Sequence, residues 1–196
     1  MRRRDLALRH LDEHAMLVRT MVDPAAAAAE EMAVRIAETL RHGRTVFFCG
    51  NGGSAADAQH LAAEYVVRFQ RDRRPLAAVA LTADTSILTA GANDYGFENV
   101  FARQVSALAR PGDLLVLHST SGESDNLLKA ADAARANGVA TVALLARGGG
   151  RLASMVDLAF TVPTDSPARA QEMHILMGHI VCDLVDHDLF GDEAGG

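Results

Sequence analysis

The sequence predicts an α/β protein, a three-layer αβα sandwich around a five-stranded parallel sheet, preceded by an N-terminal helical hairpin. Two observations carry that expectation. Five short runs are continuously apolar or β-rich, as strands buried on both faces must be, and helix-period segments separate most of them. Two of those runs end in turns rich in glycine or hydroxyl side chains that open directly into helices, as crossover units of parallel sheets do. With 196 residues, 49% of them hydrophobic, the chain can bury a full core. It is most simply one domain, with helices over 1–42 and the sheet and C-terminal helix over 43–190.

Taken in order, the first helical segments run from Leu6 to Val22 and from Pro24 to Arg41, with Asp23-Pro24 marking a break because proline lacks an N–H and favours a helix start. Thr45 to Cys49 reads as the first strand, ended by Gly50-Asn51-Gly52-Gly53-Ser54 before a helix over Ala55 to Val67. Further strands are expected at Leu76 to Leu81, Leu114 to Leu117, Val139 to Leu145 and Leu158 to Val162. The third follows Pro111-Gly112-Asp113 and leads through a serine-rich turn into a helix over Leu127 to Ala136. Gly148-Gly149-Gly150 reads as a loop and Glu193 to Gly196 as a frayed tail. From Ala168 onward, Met173, Leu176, Met177, Ile180, Val181, Leu184 and Val185 recur at three and four residues, an amphipathic helix with a broad buried stripe.

Charge and composition restrict the function classes. A formal charge of −6, with basic runs only at Arg2-Arg3-Arg4 and Arg71 to Arg74, argues against a dedicated nucleic-acid surface. No 18-residue apolar run occurs, and charged helix-like sequence follows Met1, so no membrane span or secretion signal is expected and the location is read as cytoplasmic. Two cysteines, Cys49 in a core strand and Cys182 in an apolar helix, suit reduced structural thiols.

The chemistry concentrates at the two turns. Ser119-Thr120-Ser121-Gly122-Glu123-Ser124 sets three adjacent hydroxyls at a strand-to-helix junction. The free N–H groups and dipole of a helix start favour an anion there, and the hydroxyls add donors, so the cluster reads as a phosphate cradle rather than a simple N-cap. The glycine loop at Gly50 to Ser54 has neither G-x-G-x-x-G spacing nor G-K-[ST], which excludes a dinucleotide fingerprint and a P-loop. In the helix after it, His60 and Glu64 share one face, with Asp57 one turn below. A lone His/Glu pair at that spacing is usually a surface hydrogen bond, but this helix starts at a ligand-facing turn. Gln171, His174 and His179 interrupt the final apolar stripe. Gln171 and His179 lie about 12 Å apart along a straight helix. A site using both calls for an irregular helix start near Gln171 or for residues from neighbouring subunits.

Several of these segments together resemble a known family. Gly50-Asn51-Gly52-Gly53-Ser54-Ala55-Ala56-Asp57-Ala58-Gln59-His60, Arg74-Pro75-Leu76, Leu81-Thr82-Ala83-Asp84-Thr85-Ser86, Asn93-Asp94-Tyr95-Gly96-Phe97-Glu98, Ser119-Thr120-Ser121-Gly122 and Gln171-Glu172-Met173-His174-Ile175-Leu176 are similar to the phosphoheptose isomerases of the sugar-isomerase (SIS) family. The resemblance runs from the first helices to Leu189. It implies the SIS fold and isomerisation of sedoheptulose 7-phosphate to D-glycero-D-manno-heptose 7-phosphate, the first step of nucleotide-activated heptose biosynthesis. Ser119, Thr120, Ser121 and Ser124 would hold the phosphate, while Asn51, Gly52, Gly53, Ser54, Asn93, Asp94, Glu64 and Gln171 would meet the rest of the substrate. The resemblance further implies one zinc per subunit on His60, Glu64, Gln171 and His179, in sites built between subunits of a homotetramer. The chain departs from the common pattern at His118, usually apolar, and at Glu123-Ser124-Asp125, where Asn and Pro are frequent.

Ketose-aldose interconversion moves a proton between C1 and C2 through a cis-enediol, and so needs a base over both carbons and a group that stabilises the developing oxyanion. Glu64 as base and His179 as the partner acting at the oxygens fill these roles, or the two with roles exchanged. Two rivals stand beside this reading: a non-catalytic SIS scaffold similar to the DnaA initiator-associating proteins, and an isomerase of another phosphosugar. The presence of both Glu64 and His179 favours the enzyme over the scaffold.

Overall fold

In the computed structural model, which describes residues 2–191, a parallel sheet of five strands lies between two helical layers. The strands are β1 (Val46–Gly50), β2 (Ala78–Ala80), β3 (Leu114–Ser119), β4 (Ala140–Ala146) and β5 (Leu158–Val162), in the spatial order β2-β1-β3-β4-β5. The helices are α1 (Arg3–Arg41), α2 (Gly53–Val66), α3 (Thr85–Tyr95), α4 (Val100–Leu108), α5 (Asp125–Ala136) and α6 (Pro167–Phe190). The expected tail at Glu193 to Gly196 lies outside the described residues.

Side-chain alternation along the strands splits the core in two. Val46, Phe48, Leu114, Val116, Val142 and Leu144 point to the layer of α1, α2 and α6. Phe47, Cys49, Leu115, Leu117, Ala143 and Leu145 point to the layer of α4 and α5. Each inner strand is therefore apolar on both faces, which is why the sequence runs look continuous rather than alternating.

The expected helical hairpin is not formed: α1 continues unbroken through Pro24. Proline in a helix interior removes one backbone bond and costs about 3 kcal/mol. Packing outweighs that cost. Beyond Pro24 a run of alanines favours helix, and Ala29, Met32, Ala33, Ile36, Ala37 and Leu40 are buried on one stripe. N-terminal to Met21, α1 carries no buried side chain and projects Leu8, Leu11 and Met16 into solvent. The expected glycine loop at Gly148 to Gly150 is present, as two short 3-10 turns, Arg147–Gly149 and Arg151–Ser154.

Strand order positions the site. β1 connects to β2 on one side while β3 lies on the other, so the order reverses between β1 and β3, and ligands of open α/β sheets bind beyond the strand ends at such a point. The two strands run parallel with Phe48 opposite Val116 and Gly50 opposite His118. Their following turns, the glycine loop and the serine turn, emerge side by side.

Candidate active site

The glycine loop brings backbone close to whatever sits above β1. Gly52 has φ of 56°, a left-handed conformation that favours glycine. A side chain on Gly53 would collide with the amide of Gln171, 2.5 Å from its Nε2, so α6 closes over the start of α2 here. Asn51 and Asn126 exchange amide hydrogen bonds at 2.9 and 2.8 Å, tying the glycine loop to the first turn of α5. Asn126 is buried, and its partnership across 75 positions left no local signal in the sequence.

The serine turn is closed by its own hydroxyls. Ser119 ends β3 and is buried; its Oγ accepts from the Gly122 N–H at 3.0 Å, and Ser121 Oγ accepts from the Glu123 N–H at 3.2 Å. Ser124 occupies the N-cap position of α5, yet its side chain makes no capping bond, which leaves its hydroxyl free of the helix it opens.

Three further donors converge between α2 and α6. His60 Nε2 lies 2.9 Å from His179 Nε2 and 3.3 Å from Glu64 Oε1, and one ligand atom from each residue falls within 4.8 Å of the others. His60 and Glu64 meet because they are one helical turn apart on α2, and His179 is brought over them where α6 crosses. The His179 ring stacks on Phe69 with centroids 5.3 Å apart, which fixes its plane. Two imidazole nitrogens and a carboxylate oxygen at these separations suit a small divalent cation, since ligands 2.0–2.1 Å from a tetrahedral zinc stand about 3.3 Å from one another. Asp57, one turn before His60, has its carboxyl raised above the usual range by burial, with His60 pulling the other way.

The remaining expected residues are placed as follows. Gln171 lies over Gly53 at the start of a regular α6, so the irregular helix start that would have carried Gln171 to His179 is not formed. Asn93 and Asp94 sit near the end of α3, exposed, with Asn93 Nδ2 donating to Asp94 Oδ1 at 2.7 Å; among the described residues no hydrogen bond joins them to either turn. His118 points away from the serine turn into the layer of α1, α2 and α6, between Phe48 and His174, with ring centroids 6.3 Å from each. Burial, aided by the neighbouring His174, pushes its pKa down to about 3, so the ring is neutral and takes no part at the turn.

Sequence reading missed Arg73. Its guanidinium donates to Glu64 and Tyr65 carbonyls at 2.9 and 2.8 Å, in the last turn of α2, and to Asp186 of α6 at 2.8 Å. It therefore braces the helix end that carries Glu64. The only sequence trace of this role was the basic run Arg71 to Arg74.

Comparison with known proteins agrees with this geometry. The SIS domain family model matches residues 9–146. A phosphoheptose isomerase of Nitratidesulfovibrio vulgaris is 52% identical over 187 residues, 95% of this chain and 90% of that protein. Another from a Roseiflexus species is 55% identical over 159 residues, 81% of each. The solved phosphoheptose isomerase of Neisseria gonorrhoeae superposes with a TM-score of 0.89 at 42% identity, covering 93% of this chain and 98% of that one.

Proposed function

The chain belongs to the SIS domain family and is a phosphosugar isomerase of the phosphoheptose type, and from that premise we propose that it converts sedoheptulose 7-phosphate to D-glycero-D-manno-heptose 7-phosphate, with Glu64 and His179 as its acid-base pair. The observation that carries the residue assignment is the convergence of Glu64, His60 and His179 between α2 and α6, in a fold whose glycine loop and serine turn emerge side by side at the strand-order reversal.

The serine turn anchors the phosphate through Ser119, Thr120, Ser121 and Ser124, while Asn51, Gly52, Gly53 and Ser54 line the sugar chain. Asn93 and Asp94 join this set as substrate contacts, on the strength of the family resemblance alone. The Glu64 carboxylate takes a proton from C1 of the ketose, and the electron pair left behind forms the C1–C2 double bond of a cis-enediol. The same carboxylic acid then returns the proton at C2, while His179 transfers the proton between O2 and O1 as the carbonyl moves from C2 to C1. No atom is gained or lost, and both residues end in their starting protonation states. His60, Glu64 and His179, with Gln171 supplied from a neighbouring subunit as the fourth ligand, would hold zinc, which when bound supplies Lewis-acid stabilisation to the substrate oxygens.

Assembly into a homotetramer with sites between subunits belongs to the same reading. It is supported by the exposed Leu8, Leu11 and Met16 on the projecting half of α1 and by α3, which buries none of its side chains. A cytoplasmic location is supported by the phosphosugar substrate and by two free, buried cysteines. Among the described residues no helix is long and apolar enough to cross a membrane.

The test is turnover of sedoheptulose 7-phosphate in deuterium oxide. Wild type should form aldose with deuterium at C2, and Glu64→Gln should lower kcat by about two to four orders of magnitude with the fold unchanged. Near wild-type turnover in Glu64→Gln would place the base elsewhere, and an inert wild type would favour the scaffold.

A further inference from the structure

We infer that Arg151 is a positioning residue for the serine turn, holding Glu123 and Asp125 in a neutralised latch so that the turn can receive a phosphate dianion; the inference rests on the phosphosugar reading of that turn. The turn contains its own opposition. Its hydroxyls and N–H groups favour an anion, yet Glu123 and Asp125 place two carboxylates at the same corner. Unpaired, they would oppose a dianion bound beside them.

Arg151 meets both. Its Nε donates to Glu123 Oε2 at 2.6 Å, one terminal nitrogen donates to Asp125 Oδ1 at 3.2 Å, and its backbone N–H donates to Glu123 Oε1 at 2.9 Å. The same terminal nitrogen reaches the Glu123 carbonyl at 3.3 Å. These bonds hold the Glu123 carboxyl below the usual range.

An exposed ion pair alone contributes little, because solvent screens it and both side chains must be ordered. In this latch the backbone orders them. Gly122 and Gly150 both have positive φ, and a side chain on Gly122 would overlap the Gly149 carbonyl. One on Gly150 would stand 2.5 Å from the Ser121 carbonyl oxygen and 2.7 Å from Glu123 Oε1. Leu152 N–H donates to the Gly122 carbonyl at 3.0 Å. The loop after β4 is thus packed backbone to backbone against the serine turn, and Arg151 closes the contact with charge. The latch balances the two carboxylates and holds the turn's shape through one side chain.

Wild type, Arg151→Gln, Arg151→Lys, Glu123→Gln and the Glu123→Gln/Arg151→Gln double variant decide the matter, by calorimetric binding of inorganic phosphate and by steady-state kinetics on sedoheptulose 7-phosphate. Arg151→Gln should raise the phosphate Kd and the KM by roughly 5- to 20-fold while kcat stays within about twofold, since the freed carboxylates act on binding and not on Glu64 or His179. Arg151→Lys should fall between it and wild type. Adding Glu123→Gln to Arg151→Gln should recover most of the lost affinity, because the unpaired carboxylate causes the loss. A purely structural role for Arg151 would show no such rescue. An unchanged phosphate Kd in Arg151→Gln, or a double variant as weak as the single, overturns the inference. A wild type that binds phosphate yet leaves sedoheptulose 7-phosphate unchanged refutes the substrate reading only, and the phosphate measurements still decide the latch.

Discussion

Replacing Arg73 with methionine removes the positive member of an ion pair whose side chains are only 3% and 2% exposed. Three things are lost together: the 2.8 Å bond to Asp186 Oδ1 and the donors to the Glu64 and Tyr65 carbonyls at 2.9 and 2.8 Å. Asp186 is then a buried charge with no counterion, and its Oδ2 already lacks a hydrogen-bond partner. Breaking one side of a buried pair costs about 3–5 kcal/mol. For a chain of 196 residues, an unfolding entropy of about 2.1 cal/mol/K per residue converts this to a fall in Tm of roughly 7–12 °C. The assay is calorimetry with urea unfolding, on Arg73→Met, Asp186→Leu and the double variant. The double variant should recover much of the loss, because it buries no lone charge. Activity should fall in Arg73→Met even below its Tm, since the last turn of α2 carries Glu64. A single variant within about 2 °C of wild type, or a double variant no better than the worse single, would refute the assignment of Arg73 as the brace of that turn.

Replacing Ser119 and Ser121 together with alanine should weaken binding of sedoheptulose 7-phosphate by roughly 1–3 kcal/mol, and unchanged affinity by calorimetry would exclude the turn as the phosphate site. The purified protein should carry close to one zinc per chain in a symmetric oligomer, and chelation should lower activity reversibly; a monomeric mass by light scattering would remove the between-subunit arrangement, and full activity after chelation would remove the metal from catalysis. His118 supplies a pH test. Its folded pKa, about 3, lies below the unfolded value near 6.5, so the unfolded chain binds a proton that the folded chain refuses, and its contribution is intact above pH 6.5 and lost as pH falls toward 3. Relative to pH 8, this residue should cost about 2 kcal/mol of stability at pH 5, and urea unfolding of His118→Leu should show a correspondingly flatter acid limb.

Much of the sheet was legible because burial on both faces leaves a plain mark. β5 occupies the residues its apolar run predicted, and β1, β3 and β4 differ from expectation by one or two positions at their ends. The second strand is shorter than its run: only Ala78 to Ala80 pair with β1. The hairpin failed for a reason no local rule contains. Pro24 signals a break by its missing N–H, and only the packing of the later half of α1 against the sheet and α6 decides that the helix continues. No bounds were expected for α3 and α4; α3 buries none of its side chains and so shows no core stripe.

The site was legible where chemistry and helical period coincide, and hidden where two loops from distant positions meet. His60 and Glu64 declare themselves by a four-residue spacing, and the serine turn by its hydroxyls. Each has a bland explanation when taken alone, as a surface pair or an N-cap. Topology changes their weight. Because strand order reverses between β1 and β3, the glycine loop and the serine turn have to emerge together, and the crossing of α6 over α2 sets His179 beside His60 and Glu64. Asn51 with Asn126, Arg73 with Asp186, and Arg151 with Glu123 then join segments 75, 113 and 28 positions apart. No periodicity links such pairs, so they become visible only once the sheet has brought their loops together. All three pairs act alike, each fastening a segment that bears a reactive or binding group to a neighbouring element. A site assembled from loops on parallel strands needs such fasteners, because neither strand end alone restrains the loop beyond it.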